Sequence, residues 1–225
     1  MSSGGLKGIA VLSGVAVVGA LIGLYVGFLA GGPTPYRVPV AQGANGHKTV
    51  DLTLMTVGAI GPKLSPNPDW VSYLVRENGV WRRSTVWTLP ANATVHVTIY
   101  NFDSKTGLRN SFLAQARGID GGSFRIDGKV PQQTINPDDT SHTFAIPQLG
   151  LIVPVIGIDD NAKNPCGVAP CAMSTAHTTT TFTFHTGKRG QYRWQCFVPC
   201  AFGFVYGFGG PMQTIGYMDG YVDVV

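Results

Sequence analysis

Charge is scarce in this chain of 225 residues: Asp, Glu, Lys and Arg together make up 12%. The 16 basic and 12 acidic side chains leave a net charge of +4, and no basic run or basic–aromatic patch concentrates it. A nucleic-acid partner needs such a concentration, so none is expected. Cysteine is missing before Cys166, and histidine is missing after His185. There is no internal repeat and no phosphate-cradling glycine loop. No serine sits in a nucleophile-elbow setting and no cysteine is paired with a base, so a hydrolytic triad is not expected.

One long run is apolar throughout. Gly8 to Ala30 reads GIAVLSGVAVVGALIGLYVGFLA, without charge or proline. As a helix it matches a bilayer core of roughly 30 Å, and it exceeds the roughly 7–15 apolar residues of a cleaved signal peptide. The expectation is a retained anchor over 1–31, a Gly/Pro-rich linker over 32–47 and an extracytoplasmic domain over 48–225. Lys7 ahead of the run favours a cytoplasmic amino terminus, hence a single-pass protein of the cell membrane. The cysteines fall into two close pairs, Cys166 with Cys171 and Cys196 with Cys200. Such pairs suit an oxidising exterior, and the spacing serves either disulfides or a metal.

The remainder reads as β-structure. Lys48–Ala59, Thr94–Asn101 and Thr178–Thr186 alternate apolar with polar residues, the period of half-buried strands. Val80–Thr88, Ser123–Ile126, Tyr192–Cys196 and Tyr217–Val225 are further strand candidates. Asn67-Pro68-Asp69 offers a helix start ahead of Trp70–Val75, and Leu108–Gln115 suggests a short helix. His96 and His185 fall on the polar faces of their strands and are read as solvent-facing. The connection 104–140 is long enough to be functional or to pack over a neighbour. Seven or eight strands with no sustained helical period predict a mainly β fold, an antiparallel sandwich or barrel.

Two stretches carry chemistry. Gly190-Gln191-Tyr192-Arg193-Trp194-Gln195-Cys196-Phe197-Val198-Pro199-Cys200 delivers two thiols four residues apart, and Ser141-His142-Thr143-Phe144-Ala145-Ile146-Pro147-Gln148-Leu149-Gly150-Leu151 supplies an imidazole. Together they resemble the two ligand segments of subunit II of haem–copper terminal oxidases. That resemblance implies a cupredoxin-like Greek-key β-sandwich, a dinuclear copper centre fed by a cytochrome c, and respiratory-complex partners in a membrane. It carries over His142, Cys196, Cys200 and the Val198 carbonyl as matching ligands. The family's second histidine and its methionine would fall four and seven residues after Cys200, where this chain has Phe204 and Gly207.

A blue-copper site needs two imidazoles and one thiolate. Met212 or Met218 can supply an axial sulfur, but no local residue supplies the second nitrogen. The expectation is therefore a non-catalytic subunit II-type component of a respiratory oxidase, possibly a quinol oxidase, without cofactor. In it Cys196–Cys200 and Cys166–Cys171 are disulfides, His142 is a hydrogen-bonded core histidine, and the apolar loop Phe202–Phe208 is buried against another surface. One alternative is an electron-transfer cupredoxin that binds copper through His142, Cys196, Cys200 and Met212. The other is a free-standing exported binding protein.

Overall fold

A computed structural model describes residues 3–30, 34–42 and 46–225. The chain separates into two compact units, Met1–Gly32 and Pro33–Val225. The first is one helix, α1 (Ser3–Ala30). Its described side chains run from Leu12 to Tyr25 and are all exposed. Among the described residues, no helix is long and apolar enough to cross a membrane.

The second unit is mainly β. In chain order its strands are β1 (Tyr36–Arg37), β2 (Val40–Gln42), β3 (Lys48–Val57), β4 (Ser72–Glu77), β5 (Val80–Arg82), β6 (Val86–Leu89) and β7 (Thr94–Asn101). They continue with β8 (Arg125–Ile126), β9 (Thr140–Ile146), β10 (Leu151–Ile156), β11 (Thr178–His185), β12 (Gly190–Gln195) and β13 (Asp219–Val224). Within the expected linker, β1 and β2 are strands, while residues 32–33 and 43–45 lie outside the described residues.

One sheet has the order β1-β6-β13-β12-β9-β10, and the other β5-β4-β3-β7-β11-β8 with β2 beside β3. Both are mixed, which corrects the antiparallel expectation: β6 runs parallel to β1 and β13, and β3 runs parallel to β7. Parallel neighbours need long crossovers rather than hairpins. The expectation of a mainly β fold holds, as two sheets.

Alternation explains the second sheet. Val95, Val97 and Ile99 of β7, and Phe182 and Phe184 of β11, are buried. His96 and His185 lie exposed on the opposite face, as read from the sequence. His96 Nδ1 pairs with Thr183 Oγ1 at 3.0 Å. On the first sheet, Trp87 of β6 and Trp194 of β12 stack at 4.8 Å between centroids, and Phe144 of β9 stacks on Trp194 at 5.9 Å. Rings packed this way contribute about 0.5–1.5 kcal/mol per pair beyond burial, and they lock the strand that leads into Cys196.

The structure differs from the sequence reading in three local places. The helix expected after Asn67-Pro68-Asp69 is the strand β4, because Ser72, Tyr73, Leu74 and Val75 are all buried and the segment pairs with β3 and β5. The strand expected over Val80–Thr88 breaks into β5 and β6 beside Ser84, whose hydroxyl donates to the Thr34 carbonyl at 2.7 Å. Leu108–Gln115 forms turns rather than a helix. The long connection packs over a neighbour, burying Leu113, Ala116, Phe124 and Ile126 and bridging Arg117 to Ile152 of β10.

Candidate metal centre

The site forms where β9 and the end of β12 meet. β9 is buried along its whole length, so His142 has no route to solvent and its side chain is fully buried. Cys196 follows β12 directly, held by its backbone N–H donating to the Met218 carbonyl at 3.0 Å. One nitrogen or sulfur atom from each of His142, Cys196 and Cys200 lies within 4.8 Å of the others.

The two sulfurs are 3.8 Å apart and both cysteines are free. A disulfide needs about 2.05 Å, so the expected Cys196–Cys200 bond is corrected. Each sulfur has other engagements. Cys196 Sγ accepts from the Thr143 backbone N–H at 3.4 Å, and Cys200 Sγ faces Met212 Sδ at 3.2 Å. The other pair, Cys166 and Cys171, is bonded as expected.

Met212 is fully buried and brings a thioether to the thiols. Gln195 fixes its backbone, donating from Nε2 to the Met212 carbonyl at 2.8 Å. Met218, the other methionine considered, is buried in the core, and the contact it makes to Cys196 is through its backbone carbonyl. The Val198 carbonyl is 3.7 Å from Cys196 Sγ.

The imidazole is arranged asymmetrically. His142 Nε2 is 3.1 Å from Asp103 Oδ2. Its other nitrogen, Nδ1, is buried and has no hydrogen-bond partner among the described residues. The hydroxyls of Thr140, Ser141 and Thr180 share that condition. Leaving a buried polar atom unpaired costs about 1–3 kcal/mol. Metal-bound histidines show this pattern, one nitrogen held by a carboxylate and the other offered to the metal.

Electrostatics couples the groups. Burial pushes the His142 pKa down, but the bond to Asp103 and the neighbouring Cys196 sulfur outweigh it and raise the value to about 9. Burial pushes the Cys196 thiol up, yet the Cys200 thiol and the His142 ring beside it bring it well below its ordinary value. Cys200 moves up, through its bond to Cys196 and through burial. Cys196 is therefore the natural thiolate of the pair.

The loop after Cys200 explains the two family positions that do not match. Gly207 has φ = 75°, and a Cβ there would lie 2.9 Å from the Pro199 carbonyl oxygen, so no side-chain donor fits. Phe204 packs against Trp70 with centroids 5.8 Å apart. Within the chain the expected burial of this loop is not found: Phe202 and Tyr206 stand out fully, at 103% and 89% exposure. The loop closes on its own backbone, Ala201 N–H to Gly207 and Gly207 N–H to Phe204, which turns these rings outward.

Asp103 escaped the sequence reading. It lies 39 residues before His142, and no spacing rule joins a loop aspartate to a histidine so far along the chain.

No protein-family model matches the chain. No curated protein matches it either. Among solved structures it is similar to rusticyanin, a copper protein. Reduced rusticyanin is 21% identical, covering 87% of this chain and 89% of that one, with a TM-score of 0.32. Rusticyanin from Thiobacillus ferrooxidans is 23% identical over 79% and 77%, with a TM-score of 0.31. A rusticyanin point variant is 22% identical over 86% of each, with a TM-score of 0.33.

The donor set of this chain fits copper on its own terms. Two thiols and a thioether are soft donors of the kind that copper(I) takes readily, imidazole suits copper as well, and a thioether is not among the usual ligands of zinc. The free thiols and the unpaired nitrogen do not support the expectation of no cofactor, and they suit the copper that the alternative reading named.

Proposed function

We propose that this protein is an electron-transfer cupredoxin that holds one copper through His142, Cys196, Cys200 and Met212. The observation that carries this reading is His142 Nδ1, buried, without a partner, and grouped with two free thiols. When bound, copper supplies a one-electron redox centre. The chain does the rest. Asp103 orients the imidazole, and Thr143 donates to Cys196 Sγ. Burial of His142, Cys196 and Met212 keeps water from the donors. Four side-chain donors, with a single imidazole, favour one metal over the dinuclear centre that the resemblance implies.

Titration of reduced, metal-free protein with copper tests the proposal. One equivalent bound, with a visible thiolate-to-copper band in the oxidised state, supports it. Absence of uptake, with the two late cysteines found joined, counts against it.

A place beside a membrane oxidase is a second reading, supported by the likeness of the segments around His142 and Cys196 to subunit II. Anchoring is a reading of the apolar sequence Gly8–Ala30 alone, since among the described residues no helix is long and apolar enough to cross a membrane. The Cys166–Cys171 disulfide suits an extracytoplasmic compartment. Purification in mild detergent tests the partner: co-elution with haem-containing chains supports the oxidase, and elution alone supports a free-standing carrier.

A further inference from the structure

We infer that Asp103 is the positioning residue of the copper site, setting which nitrogen of His142 faces the metal; this rests on the copper reading above. The carboxylate is itself built into place. Its Oδ2 takes His142 Nε2 at 3.1 Å, and its Oδ1 accepts from the Ser104 backbone N–H at 2.9 Å. Asn101 fixes the backbone on both sides: its Oδ1 accepts from Asp103 N–H at 3.2 Å, and its Nδ2 donates to the Asp103 carbonyl at 3.0 Å. That same Nδ2 reaches the Ile156 carbonyl at 2.8 Å, and Thr56 Oγ1 donates to Asn101 Oδ1. Gly58 leaves the room the carboxylate occupies, since a Cβ there would come within 2.9 Å of Asp103 Oδ1.

Both carboxylate oxygens are used as acceptors, and that determines the imidazole. An acceptor at Nε2 keeps a proton on Nε2, which leaves the lone pair on Nδ1, the nitrogen without a partner. An asparagine cannot do the same work, because its amide has one oxygen and one NH2. If the oxygen stays with Ser104 N–H, the NH2 faces Nε2 and drives the imidazole proton to Nδ1, where it competes with the metal. If the amide turns over, two N–H donors face each other at Ser104. Asp103→Asn is therefore a severe change here despite its matching shape.

The test compares wild type, Asp103→Asn and Asp103→Ala by two measurements. The first is copper affinity by competition with a chelator, where both variants are expected to bind roughly 10- to 100-fold more weakly, the usual effect of removing such a partner. The second follows the imidazole nitrogen-15 shifts of metal-free protein to their alkaline plateau. There they are expected to place the proton on Nε2 in wild type and on Nδ1 in Asp103→Asn. Unchanged affinity together with unchanged nitrogen shifts overturns the inference. So does a loss of folding stability in either variant with neither readout moved, which is a structural role only. Wild type that binds no copper while the tautomer still moves overturns the copper reading and leaves the positioning role standing.

Discussion

Met212 Sδ lies 3.2 Å from Cys200 Sγ, joining two residues twelve apart in sequence across a loop that carries no other side-chain donor of the group. This contact singles out Met212 from Met218. Met212→Leu conserves volume, so it should cost less than about 1.5 kcal/mol in stability. It is expected to weaken copper binding and shift the thiolate-to-copper band, whereas Met218→Leu should leave that band in place. Absorption spectra of the two loaded variants decide the matter; identical behaviour would mean that neither sulfur is a ligand.

Thr143 serves both sides of the site. Its hydroxyl oxygen accepts the Phe197 backbone N–H at 2.8 Å and lies 4.0 Å from Cys196 Sγ. Thr143→Val keeps the shape and removes the acceptor, leaving that N–H unpaired. The expected loss is about 1–3 kcal/mol, read from urea unfolding of metal-free protein. A variant as stable as wild type would show that Phe197 N–H finds another acceptor.

Asp103 gives the metal-free protein an acid-side dependence. Burial alone would raise its pKa, but the bond to His142 dominates and the value falls below the ordinary 3.8. A carboxylate depressed in the folded state stabilises fully above its unfolded pKa and loses that contribution as pH falls through the folded value. Stability should therefore drop below pH 3.8, and Asp103→Asn should flatten that part of the profile. Chemical unfolding at a series of acidic pH values measures both; equal slopes would remove the His142–Asp103 pair as a source of stability.

How much of this was legible in the sequence depended on whether local pattern decided the outcome. β7 matches the strand read over Thr94–Asn101, because one face is core and the other solvent. β4 was misread because Ser72–Val75 is buried on both faces, which erases the alternation and leaves the Asn-Pro-Asp start signal unopposed. At the site, the resemblance brought forward His142, Cys196 and Cys200, and the scarcity of other donors brought forward Met212. Counting ligands then pointed to a disulfide, since a sequence does not reveal that Cys196 Sγ is held by Thr143 N–H or that His142 Nδ1 is unpaired. Those facts, like the carboxylate of Asp103, come from long-range pairing of strands.

X-ray absorption at the copper edge of the loaded protein tests the central claim most directly. The account predicts one copper per chain with a shell dominated by sulfur and a single imidazole nitrogen. A shell of oxygen and nitrogen without sulfur would contradict it, placing any bound copper elsewhere on the chain and leaving the two thiols with another task.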